Sequence, residues 1–200
     1  MTHRPQRRDV LAYLFWHRSK PTRTPETYEA DLRSFHADLA AAAPAGFVRS
    51  MTYRIADPPW LAGSGQAYED WYLLENSAAL DSINEAAVSG PRSRSHGRLA
   101  EAASHGAGGL YQSRSAGLAE AGSVALWFAK PAGSSYADVI AHIGSAAPDG
   151  ALWRRQLVLG PAPEFCLICS HDLALPGVTV ALRSQRTLVE RPGPSGGIRA

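Results

Sequence analysis

VLAYLFWH (residues 10–17) runs directly into RSKPTRTPETYEADLRSFHADL (residues 18–39). In the first segment, bulky, β-prone residues occupy both the odd-numbered and the even-numbered positions. Because these positions face opposite sides of a strand, the segment is predicted to be a central strand with two apolar faces. In the second segment Thr24 can cap a helix whose first residue is Pro25, and apolar residues then recur at helical spacing. The core is therefore expected to begin with a strand followed by an amphipathic helix.

The next elements complete a larger unit. Apolar runs predict strands, apolar residues at helical spacing predict helices, and clusters of Pro and Gly separate them. The strands are predicted at 10–17, 47–55, 68–75 and 110–114, and the helices at 25–43, 77–90 and about 95–104. With the second helical position split in two, the order β-α-β-β-α-β is that of the ferredoxin-like plait.

The C-terminal part repeats, in the same order, the short motifs that separate the elements of the N-terminal part. Residues 126–131, LWFAKP, parallel residues 14–21, LFWHRSKP, and a helix containing a tyrosine follows each. A P-x-G motif and a proline-rich loop then recur in the same order. This pattern predicts an internal duplication. In the alignment that it gives, His17 corresponds to Ala129 and Tyr13 to Ala125.

The duplication predicts an α+β protein of two tandem ferredoxin-like halves, residues 9–115 and a shorter 122–190. Their antiparallel sheets are expected to pack face to face as an intramolecular α/β barrel. In the second half the last helix is reduced to a connection before a final strand at 178–189. The tails, 1–8 and 191–200, are expected to be flexible because they offer few apolar residues to bury.

This order of elements resembles the dimeric α/β-barrel superfamily, over roughly residues 9–190. That superfamily builds its barrels from two chains or from one duplicated chain. It includes cofactor-independent monooxygenases, EthD-like proteins, stress-responsive proteins and the haem-binding chlorite dismutase and dye-decolorising peroxidase groups. This diversity does not assign one reaction, and a small-molecule ligand is expected from the aromatic residues predicted on the sheet strands, Tyr13, Phe15, Trp71 and Trp153. The resemblance leaves open a homodimer, and it leaves open whether the protein uses no cofactor or haem.

Composition excludes several classes of protein. With 200 residues, 45% hydrophobic and 19% charged, the chain is neither disordered nor a membrane protein. A net charge of +2 creates no strong field toward nucleic acid or membranes, and Glu69 and Asp70 at the start of the third strand would repel phosphate. We expect neither partner.

The two cysteines, Cys166 and Cys169, lie in an apolar run. Residues three apart on a strand point to opposite faces, so we expect buried free thiols and no metal site. Free thiols fit a reducing compartment, and the apolar stretch at 10–16 is too short for a signal or membrane segment. We therefore expect a cytoplasmic protein.

The candidate site lies where two strand ends meet. Antiparallel pairing brings the end of the first strand, with His17, beside the start of the third, with Glu69 and Asp70. A carboxylate beside an imidazole suits a general base, so His17 and Glu69 are predicted catalytic residues. The predicted substrate-binding residues are Tyr13, Phe15, Asp70 and Trp71. An ordinary His–carboxylate pair at a sheet end is the alternative.

Three functions follow from these residues. The first is binding of an aromatic or apolar metabolite between the two sheets, with cofactor-independent catalysis. The second is a non-catalytic structural or oligomerisation module. The third is haem binding, for which His96 or His105 could supply an axial ligand, although helix capping explains both residues.

Overall fold

The computed structural model describes residues 10–90, 92–115, 123–157 and 161–192, which form eight strands and four helices. In chain order these are β1 (Leu11–Ser19), α1 (Pro25–Ala42), β2 (Phe47–Ile55), β3 (Ala67–Leu74), α2 (Ala79–Val88), α3 (Arg92–Ala102), β4 (Ala103–Ser113), β5 (Val124–Phe128), α4 (Tyr136–Ala146), β6 (Ala151–Leu157), β7 (Phe165–Cys169) and β8 (Val180–Glu190).

The strands form one closed antiparallel barrel in the order β1-β3-β2-β8-β5-β7-β6-β4. The first four strands lie in the ferredoxin-like order β4-β1-β3-β2, and the last four repeat it as β8-β5-β7-β6. The halves are joined edge to edge, because β2 pairs with β8 and β4 with β6. Closure leaves no free edge strand in the barrel. The predicted α+β fold with ferredoxin-like halves is confirmed.

Local sequence explains where the main helices begin. The Thr24 side chain accepts a hydrogen bond from the Thr27 amide at 3.4 Å, and Pro25 occupies the first turn of α1. In the second half, Ser135 and Asp138 form a reciprocal capping box at the start of α4. These caps satisfy amides that have no partner within their own helices.

The barrel interior is a packed aromatic core. One alternation of β1, which includes Leu14 and Trp16, points inward and packs against residues from both halves. The Trp16 and Trp127 rings meet edge to face at 5.3 Å, and the Trp71 and Trp153 rings at 5.2 Å. Such pairs stabilise a core beyond the area that they bury. The two halves therefore share this core.

The outer faces of the two halves differ. In the second half, Phe128 and Phe165 pack with α4 in an apolar cluster. In the first half, Tyr13, Phe15 and His17 point outward beneath α1, α2 and α3. Trp16 and Trp127 both face inward, so they occupy equivalent positions in the two halves. The residues that follow them, His17 and Phe128, are therefore also equivalent. The sequence alignment of His17 with Ala129 and of Tyr13 with Ala125 is wrong by one residue.

The predicted boundaries of the halves, 9–115 and 122–190, stay predictions; β1 to β4 fall within the first range and β5 to β8 within the second. Of the predicted tails, 1–8 and 191–200, residues 1–8 and 193–200 lie outside the described residues. Within the part of the chain that the structure describes, no helix is both long and apolar enough to cross a membrane. Cys166 and Cys169 are buried free thiols, as predicted.

Candidate functional site

A cavity of about 620 Å³ lies between the outer face of the first-half sheet and helices α1, α2 and α3. Its walls combine aromatic rings with a few polar groups, as small-molecule sites commonly do. They include Tyr13, Phe15, His17, Tyr28, Phe35, Asp70, Tyr72, Asp81, Asn84, His96 and His105. The prediction of a pocket between the two sheets is wrong in position, because the indole rings of the core pack the barrel interior.

Two glycines of β4 shape the floor of the cavity. Gly106 and Gly108 lie opposite His17 and Phe15 of β1. A Cβ atom on Gly106 would lie 2.7 Å from the Phe15 ring, and one on Gly108 would lie 2.6 Å from the Tyr13 hydroxyl. A side chain at either position would have to displace the ring, so the glycines let these rings lie across the neighbouring strand.

His17 occupies the deep wall of the cavity with both ring nitrogens in contact. Its Nε2 lies 3.3 Å from Oδ2 of Asp70, slightly longer than an ordinary hydrogen bond, and its Nδ1 lies 2.7 Å from the Tyr28 hydroxyl. The imidazole stacks on the Tyr68 ring and is 1% exposed. The strand-end pairing that sequence predicted is present, with Asp70 as the carboxylate. The second ring nitrogen contacts Tyr28.

Asp70 is an ionised carboxylate held in full burial. Its Oδ2 accepts a hydrogen bond from the Tyr72 hydroxyl at 3.0 Å, and its Oδ1 accepts one from the Thr52 hydroxyl. Burial acts to raise the pKa of Asp70, but the imidazoles of His17 and His36 outweigh it and hold the pKa well below its usual range. A permanent negative charge therefore lies beside His17.

The tyrosines around this charge stay protonated. Burial, and then the negative charge of Asp70, raise the pKa of Tyr28 far above its ordinary value and raise that of Tyr13. Burial and Glu29 raise the pKa of Tyr68 to about 12. Each hydroxyl is therefore a hydrogen-bond donor at neutral pH. The Tyr28 O–H can point at the His17 nitrogen.

Glu69 and Trp71 do not line the cavity, which corrects their predicted roles. Adjacent residues on a strand face opposite sides, and Asp70 faces outward, so its two neighbours face the barrel interior. There the Glu69 carboxylate accepts hydrogen bonds from the indoles of Trp16 at 2.9 Å and Trp71 at 2.6 Å. The Arg186 guanidinium lies 3.4 Å from the same carboxylate. Glu69 thus belongs to the packed core.

Four residues at or beside the cavity were not predicted from the sequence: Tyr28, Phe35 and Tyr72, which line it, and His36, which contacts Asp70. Three of them lie on α1 and were assigned only to its packing face or left unassigned. The helix begins at Pro25, after a short loop (20–24) that follows the end of β1 at Ser19, so its first turns lie above the end of β1. A helix crossing back over its own strand is the signal that could have placed Tyr28 near His17.

His105 reaches the mouth of the cavity through a β-bulge. The register of β1 against β4 shifts between His17 and Arg18, so His105 is the extra residue. Its φ of 50° lies in the left-handed region, which is rare for residues other than glycine. Gly63 leaves space for its ring, since a Cβ there would lie 2.4 Å from the imidazole. Strain of this kind is common at functional sites.

Haem fits this cavity poorly. His96 and His105 both line it, as an axial ligand would. However, the lining among the described residues carries the carboxylates of Asp70 and Asp81 and no lysine or arginine to pair with haem propionates. Within the same described ranges, no group of three or more His, Cys, Asp or Glu is arranged to hold a metal ion. The lining favours an uncharged ligand.

No protein-family model matches the chain, and no curated protein matches it. An anthrone oxidase-like protein superposes on 94% of this chain and 94% of its own, with a TM-score of 0.51 and 11% identity. A monooxygenase-like protein from Lactobacillus acidophilus NCFM superposes on 93% of this chain and 97% of its own, with a TM-score of 0.50 and 9% identity. A chlorite dismutase-like protein superposes on 90% of this chain and 95% of its own, with a TM-score of 0.53 and 11% identity. The protein therefore has the dimeric α/β-barrel fold, as the resemblance implied.

Proposed function

We propose that the protein binds an uncharged aromatic small molecule in the cavity beneath α1 and removes a proton from it through Tyr28 and His17. One observation carries this proposal: the Tyr28 hydroxyl lies 2.7 Å from Nδ1 of His17, and Nε2 of the same ring contacts the buried Asp70 carboxylate. Both groups line an aromatic cavity. An oriented base at the wall of a pocket suits general acid–base catalysis.

The proton moves in two linked steps. The Tyr28 oxygen accepts a proton from an acidic C–H or O–H of the ligand while its own proton passes to Nδ1 of His17. The imidazolium that forms is stabilised by Asp70, which stays ionised. Tyr28 ends as a neutral hydroxyl, and the ligand ends as an anion. General-base assistance of this kind contributes roughly 10²–10⁴-fold in rate.

Oxygenation is the reaction that fits such an anion. An aromatic ketone with an acidic methylene, once deprotonated, is electron-rich enough to reduce dioxygen. The methylene then becomes a carbonyl, and one oxygen atom leaves as water. The substrate supplies the electrons, and dioxygen is the oxidant. The names of the similar structures, an anthrone oxidase-like protein and a monooxygenase-like protein, support this class of reaction.

The cavity also bears on the structural-module alternative. A non-catalytic module is expected to fill the space beside His17 with side chains. The second half does so, with Phe128 and Phe165 packed against α4. The first half keeps about 620 Å³ beside His17. This contrast within one chain supports binding over the structural alternative.

The test uses anthrone as the probe, with oxygen uptake and quinone absorbance as readouts. Tyr28→Phe should lower the enzyme-dependent rate by about 100-fold or more, because it removes the transferable proton. Tyr136→Phe is the matched control, since Tyr136 lies on α4 and donates to Glu164 at the surface. A Tyr28→Phe variant as active as wild type would refute the proton path.

Binding is tested separately by thermal shift with 1-naphthol and 1-naphthoate. The neutral naphthol should raise the melting temperature, and the carboxylate should not, because Asp70 and Asp81 line the cavity. Stabilisation by naphthoate alone would contradict the proposed ligand class.

A further inference from the structure

A second histidine contacts the carboxylate that supports His17. His36, on α1, is fully buried, and its Nε2 lies 3.4 Å from Oδ1 of Asp70. Its Nδ1 lies 2.7 Å from the Ser50 hydroxyl, and its ring stacks on Tyr72. His17 has the same surroundings, with Tyr28 in place of Ser50 and Tyr68 in place of Tyr72. His17 lines the cavity, whereas His36 is not among the lining residues.

Four polar groups approach the carboxylate, and the Nε2 atoms of His17 and His36, at 3.3 and 3.4 Å, lie slightly beyond ordinary hydrogen-bond geometry. An ionised carboxylate offers about four acceptor positions, two on each oxygen. Thr52 and His36 approach Oδ1, and Tyr72 and His17 approach Oδ2. Because all four groups face one buried anion, each must present a hydrogen rather than a lone pair.

The short distances from both Nε2 atoms to one buried anion decide the tautomers of the two histidines. Nε2 of each neutral ring must carry the proton, because a lone pair there would face a negative oxygen. Nδ1 of each ring is then an acceptor. It follows that Tyr28 donates to His17 and Ser50 donates to His36. The proton path of the proposed function requires this state of His17.

We propose that His36 is a positioning residue, which donates its Nε2–H to Asp70 and so holds the carboxylate ionised and oriented to fix the reactive tautomer of His17. Without this donor, one lone pair of a fully buried oxygen has no partner. Asp70 can then rotate or take up a proton, and its hold on His17 weakens. This inference rests on the proposed function for its catalytic meaning, but its structural content is tested without turnover.

Few other titratable groups face Asp70. From β1 comes His17, from α1 come Tyr28 and His36, and from β3 comes Tyr72. On β2, the Thr52 hydroxyl donates to Asp70, and the Ser50 hydroxyl contacts His36. Burial, and then the negative charge of Asp70, raise the pKa of Tyr13. A change at His36 therefore reaches His17 through Asp70.

The first experiment measures the tautomers by ¹⁵N NMR of the histidine rings in the full chain. His17 and His36 should both show a protonated Nε2 and an unprotonated Nδ1 near neutral pH. His36→Leu and His36→Asn should reduce the population of this His17 tautomer. His36→Gln should preserve it, because the glutamine amide nitrogen extends to the position of Nε2. A protonated Nδ1 on neutral His36, or a His17 unaffected by His36→Leu, would overturn the proposal.

The second experiment measures anthrone turnover in the same variants. His36→Leu and His36→Asn should lower kcat about tenfold or more, with KM within about threefold, since a buried charge loses one hydrogen bond. His36→Gln should return kcat to near wild type. His142→Leu, on the surface of α4, is the matched control.

The two experiments separate the two ideas. If no turnover is found but the tautomers respond to His36 as expected, the positioning role stands and the proposed reaction fails. If turnover is found and His36→Gln is as impaired as His36→Leu while folded, the reaction stands and the positioning role fails. Should His36→Leu not fold, the comparison of Asn with Gln carries the same test.

Discussion

Glu69 and Asp70 are adjacent in the chain, but Glu69 faces the barrel interior and Asp70 faces the cavity. Substituting Glu69 tests whether the two carboxylates are assigned to the correct faces of β3. In Glu69→Ala, two indole N–H groups lose their acceptor, and the Arg186 guanidinium loses the carboxylate 3.4 Å away. All of these groups lie inside the barrel. The change should therefore destabilise the fold and leave the cavity unaltered.

The magnitude follows from burial. Removing one partner of a buried ion pair costs about 3–5 kcal/mol. Each buried indole N–H without an acceptor costs about 1–3 kcal/mol more, though these contributions overlap in one cluster. A loss of about 5 kcal/mol in the free energy of unfolding is expected, which lowers the melting temperature by roughly 10–20 °C for a chain of this length. Glu69→Gln keeps an acceptor and should lose about half as much.

The assay pairs urea unfolding with naphthol binding and compares Glu69→Ala with Asp70→Asn. Glu69→Ala should unfold at lower urea, and its folded fraction should bind naphthol and oxidise anthrone at wild-type levels. Asp70→Asn should lose turnover, because the amide cannot stabilise the His17 imidazolium. If Glu69→Ala keeps wild-type stability and loses turnover, the two carboxylates have been assigned to the wrong faces.

Three further outcomes are expected. Gly106→Ala should weaken naphthol affinity about tenfold by calorimetry, because its Cβ would push the Phe15 ring into the cavity, whereas Gly144→Ala, with open space around it, should not. The folded-state pKa of Asp70 lies below its unfolded value, so its contribution to stability is present above about pH 4 and is lost as the pH falls. The unfolding free energies of wild type and Asp70→Asn should then converge on acidification; a constant difference would contradict this. His105→Val should be less stable than His105→Gly by about 1–2 kcal/mol in urea unfolding, the reverse of ordinary strand preference, because φ at this position is positive.

Regular elements with strong local signals were predicted well. The second strand, 47–55, matches β2, and the cap at Thr24 starts α1 as expected. The fourth strand was predicted only at 110–114, yet β4 begins at Ala103 and includes the glycine-rich stretch at 106–109. Glycine disfavours strands in general. Here pairing with β1 and space for two aromatic rings override that preference, and neither is visible locally.

The candidate site was predicted in part. Antiparallel pairing correctly brought His17 to the start of β3, because that follows from the order of elements. The choice between Glu69 and Asp70 depends on a register that pairs Phe15 with Asp70. A shift of one residue moves every side chain of a strand to the opposite face, so the sequence pattern alone could not decide between Glu69 and Asp70. The same one-residue error misaligned His17 with Ala129.

The sequence by itself determined the order of elements, the two ferredoxin-like units and the amphipathic faces of the helices, because alternation, helical spacing, caps and turn residues act over a few positions. Only the tertiary structure decided that the aromatic residues of both halves fill the barrel, while the first half keeps a cavity beneath its helices. It also brought His17, His36 and Asp70 together from three elements. Distances between elements depend on how whole side chains pack, and a linear pattern does not carry that information.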